Sequence, residues 1–253
     1  MSVWLYAALL VVWGNLLHPL LGSSAILPGG SWAFLAAGVA LVAVSLLAAR
    51  PLRLERPSLG LLQGPLPHQE PLPLGPLPHQ GLRSAGAQRG GAIGAVAGGI
   101  VAVAAVVAMR VLAPAIIGQP IVYEPLARVS SADLTGHIAF FLPLGTVIPE
   151  ELAFRGTLLG GLLARSTVPT AVAVSSIAFA LWHVSVVFFT MMNTTMPGVL
   201  VLPAIGGAFI VLLAGGAVMA GLRLMTGTLV TSIAAHWVFN AVILVGLRYP
   251  RIA

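Results

Sequence analysis

Apolar residues fill most of this chain in runs of roughly 20 residues, the length an α-helix needs to cross the hydrocarbon core of a bilayer. The runs predict helices over Val3–Leu21, Trp32–Ala49, Ala92–Ile117, Val168–Met191, Gly198–Gly221 and Gly227–Leu247. Short polar or Gly/Pro segments separate them: 23–31, 118–134 and 192–197, with Arg223 marking a further loop. Trp32 is placed to anchor its helix at the interface. Arg110, near the end of the third run, is expected to snorkel to the surface. Asn15 and His18 lie inside the first run, where a polar side chain most simply bonds to a neighbouring helix.

One stretch does not fit a single crossing. Gly136–Arg165 is apolar but long, and Pro143 and Pro149 interrupt it. Proline suits the first turn of a helix, where its missing N–H costs nothing. A helix start or sharp kink is therefore expected near Pro149, with Glu150 and Glu151 in the first turn, where free N–H groups and the positive end of the dipole favour anions. Arg165 then sits at a C-terminal end that suits a cation. His137 is expected to be a packed or interfacial histidine. The fold class is all-α: a polytopic transmembrane helix bundle of seven spans, or eight if Gly136–Arg165 crosses twice.

Residues 50–91 break the apolar pattern. Eight of the nineteen prolines fall between Pro51 and Pro78, and GPLPHQ occurs twice, at Gly64–Gln69 and Gly75–Gln80. Proline-rich sequence of this kind is expected to form an extended linker outside the bilayer. His68 and His79 are accounted for by the repeat; no carboxylate or further His completes a ligand set with them. Five arginines against two glutamates give the loop a net charge of +3, which places it on the cytoplasmic side. The chain thus divides into an N-terminal transmembrane hairpin (1–49), a Pro-rich loop (50–91) and a transmembrane bundle (92–253).

Composition narrows the class. The 253 residues are 58% hydrophobic and only 7% charged, where a soluble domain carries about 25% charged residues. Cysteine is absent, so a thiol nucleophile and a disulfide framework are excluded. Asp133 is the sole aspartate, so no two-aspartate site can form. All twelve basic residues are Arg, without a basic cluster interleaved with aromatics. The basic excess fits anionic headgroups at loop ends and not nucleic acid.

Against that background the polar residues at membrane depth stand out, since a charge there costs roughly 2.5–3.5 kcal/mol even on insertion scales. They form three groups: Glu150, Glu151 and Arg155; His183; and His236 with Asn240. Glu151 and Arg155 are four apart and share a helix face, so they are expected to pair. Glu150 is then free to face the bundle centre. Phe179 and His183 share a face, as do His236 and Asn240. A carboxylate and a neutral imidazole can hold a water and take its proton, while an imidazole and an amide can donate to an oxyanion. No Ser, Cys or metal is required. Two His and one Glu (Glu150, His183, His236) are also a zinc ligand set. Zinc is the less favoured alternative, because no HExxH occurs in the chain. A proton or ion path would use the same residue types.

These groups carry a resemblance. EELAFR at Glu150–Arg155 matches EExxxR, FALWH at Phe179–His183 matches FxxxH, and HWVFN at His236–Asn240 matches HxxxN. In this order, over about residues 136–247, they resemble the CPBP group of intramembrane proteases, which includes the type II CAAX prenyl endopeptidases and the bacteriocin-processing and self-immunity proteins. The resemblance implies an endopeptidase in which Glu150 activates water, His183 assists, and His236 with Asn240 stabilises the oxyanion. Glu151, Arg155 and Phe179 would support them. Members are often classed as metalloproteases, but no cofactor is expected here. The expected partners are a membrane-embedded or membrane-anchored protein or peptide substrate and the lipid bilayer of a bacterial plasma membrane. A non-catalytic immunity or scaffold protein of the same fold is the alternative.

Overall fold

The computed structural model describes residues 1–21, 28–61 and 82–248. Among them all regular structure is helical, with one isolated antiparallel bridge between Tyr123 and Thr194. The helices are α1 (Val3–Leu21), α2 (Pro28–Ala49), α3 (82–117), α4 (Glu124–Ala127), α5 (Ser131–Leu163), α6 (Val168–Trp182), α7 (Val184–Met192), α8 (Gly198–Thr226) and α9 (Leu229–Arg248).

Five of these are long and apolar enough to cross a membrane: Ser31–Ala49, Arg89–Ile117, Ser131–Leu163, Gly198–Thr226 and Leu229–Arg248. Counting α6 and α7 together as one bent span gives six, and α1 adds a shorter apolar helix. The seven or eight spans expected from the sequence are thus not all present as separate long helices. Part of the excess came from α5. Its 33 residues form one helix and count as one candidate span. At 1.5 Å per residue it spans roughly 50 Å, longer than the ~30 Å core.

Pro149 does not start or break that helix. The backbone is helical on both sides of it, at Leu142, Val147, Ile148 and Leu152. An interior proline normally collides with the carbonyl four residues back. Here residues Pro143–Val147 are wound as a π-helix, and the Ile148 N–H reaches back to the Pro143 carbonyl. The wider turn makes room for the ring. Two further π-helical stretches, His137–Phe141 and Leu152–Leu158, leave Ile148–Glu151 as a single α-turn between wide ones. Such π insertions often mark functional positions.

α5 is the axis of the bundle. Every residue from Pro149 to Leu163 is buried, against α1, α2, α6, α8 and α9. The core groups Phe154, Leu158, Leu159 and Leu162 of α5 with Tyr6 and Leu10 of α1, Leu41 of α2 and Phe179 and Trp182 of α6. α3 packs on the outside of α9. Gly94 and Gly98 make that approach close: a methyl on either would collide with the carbonyl oxygen of Thr231 or Ala235. Arg110 does not snorkel free, since its Nη2 donates to the Gly246 carbonyl of α9. Large apolar side chains such as Val199, Leu202 and Ile210 of α8 remain outward, where lipid would cover them.

The linker is shorter than the sequence implied. α3 already begins at Leu82. Residues 50–61 fold against the bundle, with Leu52 and Leu59 buried. Arg165 donates to the carbonyls of Gly161 (2.9 Å) and Leu52 (3.4 Å), and so caps the end of α5 as expected. The buried Arg223 donates to Pro57 and Ser58. The GPLPHQ repeats, with His68 and His79, lie outside the described residues.

Candidate functional site

The EELAFR segment lies in the fully buried half of α5. Glu151 is 0% exposed and Arg155 1%, so each needs a partner. Arg155 Nη1 is 3.1 Å from Glu151 Oε1, the pair expected from the i, i+4 spacing. The guanidinium also lies over the Phe179 ring, 4.1 Å from its centroid. That cation–π contact is worth more when desolvated. It explains why an aromatic in α6 belongs to the site without touching the acids.

Glu150 turns away from this pair. It is 6% exposed, and its Oε2 is buried with no hydrogen-bond partner among the described residues. Two imidazoles face that oxygen: His183 Nε2 at 3.8 Å and His236 Nε2 at 4.0 Å. The structure therefore brings together Glu150, His183 and His236 from α5, the α6–α7 junction and α9.

His183 occupies a break. α6 ends at Trp182 and α7 starts at Val184, with a 41° bend between them. His183 itself has φ −93° and ψ 6°, in the sparsely populated bridge region where active-site residues often sit. Its Nδ1 donates to the Phe179 carbonyl at 2.7 Å, and its ring packs against Phe179 at 4.6 Å between centroids. The break leaves backbone groups unpaired, and Asn15 of α1 meets them. Its Nδ2 donates to the Leu181 carbonyl (2.7 Å), and its Oδ1 accepts from the Ser185 N–H (2.8 Å). Asn15 is thus the helix-to-helix bonder expected from the sequence, with the added consequence that it braces the junction holding His183. The side chain of His18 lies outside the described residues.

His236 is held from the other side. Its Nδ1 lies 2.9 Å from Glu151 Oε1. The sequence reading paired Glu151 with Arg155 alone; helix periodicity within α5 carries no information about a contact reaching across from α9. Both Nδ1 atoms face acceptors that cannot donate, a carbonyl and a buried carboxylate. Each ring in its neutral form therefore carries its proton on Nδ1 and presents a bare Nε2 toward Glu150.

Asn240 lies one turn beyond His236 on α9 and is half-buried. Among the described residues its amide has no hydrogen-bond partner, so it is free to donate. His137 is away from this group: it is buried, 3.4 Å from Ser31 Oγ and stacked near Phe141, a packed histidine as expected. Trp32 packs edge-to-face on Phe141 at 5.1 Å and is otherwise exposed.

Separations of 3.8 and 4.0 Å are too long for hydrogen bonds and suit one bridging water. Among the described residues no group of three His, Cys, Asp or Glu side chains is placed to hold a metal ion.

Residues 134–242 match the family model described as Type II CAAX prenyl endopeptidase Rce1-like. No curated protein and no solved structure matches the chain. The matched segment contains all three polar groups, from Glu150 to Asn240.

Proposed function

We propose that this chain, whose residues 134–242 belong to the CPBP family of intramembrane proteases, hydrolyses a peptide bond of a membrane-associated protein or peptide with water activated by Glu150. One observation carries the proposal: a buried, unpartnered carboxylate oxygen lies within one water's reach of two bare imidazole nitrogens.

The roles follow from the geometry. A water between Glu150 Oε2 and His183 Nε2 donates to both acceptors, which turns its lone pair outward to the substrate carbonyl. Glu150 takes the proton as the water attacks. His236 has no proton on Nε2 while neutral, so it cannot donate to the oxyanion at first. It can once the proton that Glu150 took from the water passes to Nε2, 4.0 Å away; Glu151 stabilises the imidazolium, as a buried carboxylate does behind a catalytic histidine, and the imidazolium gives the proton to the departing amine as the C–N bond breaks. Asn240 offers a neutral donor from the same face of α9. Arg155 pairs with Glu151, and Phe179 packs against both imidazoles. No step here uses a metal.

The substrate class follows from the setting. A water-activating site at membrane depth acts on membrane-anchored or membrane-embedded chains. In a bacterial plasma membrane, processed peptides or anchored proteins are favoured over prenylated tails. Comparing peptide termini in membranes from cells expressing wild type or Glu150→Ala tests the proposal. New termini that depend on Glu150 are expected, and identical termini would overturn it.

A further inference from the structure

A cavity of about 160 Å³ lies where α2 and α5 begin, lined by Ser31 and Trp32 of α2 and by Asp133, Gly136, His137 and Phe141 of α5. His137 precedes Glu150 by thirteen residues, roughly 20 Å along the helix. The cavity is therefore separate from the site that activates water.

The spacing in α5 builds it. Asp133, His137 and Phe141 are four apart and share one face. Gly136, beside them, has no side chain, and a methyl there would meet nothing within 4 Å. Space is thus left between this face and the first turn of α2.

The walls are aromatic. Trp32 packs edge-to-face on Phe141, with 5.1 Å between centroids, and His137 lies nearly parallel to Phe141 at 6.4 Å. The charge is a single carboxylate. Asp133 Oδ2 accepts from Ser130 Oγ at 2.7 Å, and no ion pair among the described residues involves Asp133. Trp32 and Asp133 are both exposed. The cavity thus opens at the rim of the bundle, at the ends of two helices long enough to cross a membrane.

An occupant has to suit ring faces and an unpaired anion together. An organic ammonium does both, since it is attracted to the faces of aromatic rings and neutralises the carboxylate. A phosphate or carboxylate would meet Asp133 with like charge, and an apolar chain would leave the acid unpaired. Where the helices leave the bilayer, the layer facing the cavity is that of the lipid headgroups.

We propose that this cavity binds the ammonium headgroup of a membrane lipid, choline or ethanolamine, with Asp133 as its counter-ion and Trp32 and Phe141 as its walls. The site is independent of the endopeptidase reading and adds a lipid contact at the end of the bundle where α2 and α5 start.

The test uses the full chain in vesicles of phosphatidylglycerol carrying a trace of spin-labelled phosphatidylcholine, phosphatidylethanolamine or phosphatidylglycerol. The motionally restricted fraction of each label is measured. Arginines elsewhere on the chain attract phosphatidylglycerol, so the readout is the ratio of ammonium to glycerol label in wild type and in variants of unchanged Tm. Asp133→Asn, which can keep the Ser130 bond, and Trp32→Leu should each lower that ratio by about two- to fivefold, the range of an exposed ion pair or cation–π contact. Gly136→Leu fills the cavity from a helical backbone position, φ −60°, and should remove the preference. Ratios unchanged by all three substitutions would overturn the site. Choline chloride equimolar with the labelled lipid should not displace it; displacement would overturn the lipid assignment in favour of a soluble ammonium compound.

Discussion

His236 Nδ1 lies 2.9 Å from Glu151 Oε1, and the same carboxylate oxygen is 3.1 Å from Arg155 Nη1. One fully buried acid therefore serves two partners on two helices. It neutralises the arginine of its own helix and fixes the tautomer of a histidine on α9. The pair of adjacent glutamates in α5 is thereby divided: Glu151 is bound on two sides, while Glu150 Oε2 has no hydrogen-bond partner among the described residues.

This division predicts an asymmetric response to substitution. Glu151→Gln leaves Arg155 buried without an anion, and removing one member of a buried pair typically costs about 3–5 kcal/mol. The variant should lose several degrees of Tm or fail to accumulate. Glu150→Gln removes a carboxylate oxygen that has no hydrogen-bond partner among the described residues and faces two imidazoles at 3.8 and 4.0 Å, so it should retain wild-type Tm. Thermal unfolding of both variants in detergent measures the contrast. Equal Tm losses would contradict the division of roles.

The break at His183 gives a second prediction. Asn15→Leu leaves the Leu181 carbonyl and the Ser185 N–H without their partner, each a hydrogen bond worth about 0.5–1.5 kcal/mol. The bend between α6 and α7 should relax and His183 should move off Glu150. The expected result is a fall in kcat of about tenfold or more with KM little changed, as expected when a positioned group shifts. Reporter kinetics of Asn15→Leu beside Asn15→Gln provide the check, with partial recovery expected in the Gln variant.

The seam between α3 and α9 predicts a third effect. Gly94→Ala would collide with the Thr231 carbonyl, whereas Gly91→Ala would stop 3.5 Å from Val230 Cγ1, an ordinary contact. Overpacking costs about 1–3 kcal/mol. Gly94→Ala should lower Tm, and Gly91→Ala should not. Because Thr231 is on the helix that carries His236, activity should fall with Gly94→Ala as well.

Metal removal gives a fourth. The proposed chemistry uses no metal. Purified active protein treated with chelator and dialysed should retain its rate, with no stoichiometric zinc by elemental analysis. Loss of activity that returns only with added zinc would assign Glu150, His183 and His236 to a metal instead.

Much of the site was readable from the chain because buried charge is so costly. In so apolar a sequence the three polar groups marked themselves, and i, i+4 spacing correctly paired Glu151 with Arg155 and Phe179 with His183. What periodicity could not supply was contact between helices. The His236–Glu151 bond and the bracing by Asn15 depend on how α9 and α1 pack on α5 and the α6–α7 junction. The error at Pro149 has a local cause. Proline was read by its behaviour in an α-helix, but π-helical winding widens the preceding turn and lets the helix continue, so two expected segments are one. The four-residue spacing of Gly90, Gly94 and Gly98 was a legible signal of a close helix seam that went unread.

The central claim is that Glu150 is the base that activates water. Its most direct test is the single-turnover rate of reporter cleavage in proteoliposomes for wild type, Glu150→Gln and Glu150→Ala, each checked for wild-type Tm. General-base catalysis contributes about 10²–10⁴-fold, so both variants should cleave at least about a hundredfold more slowly while still binding the reporter. A folded Glu150→Gln that cleaves at the wild-type rate would contradict the account.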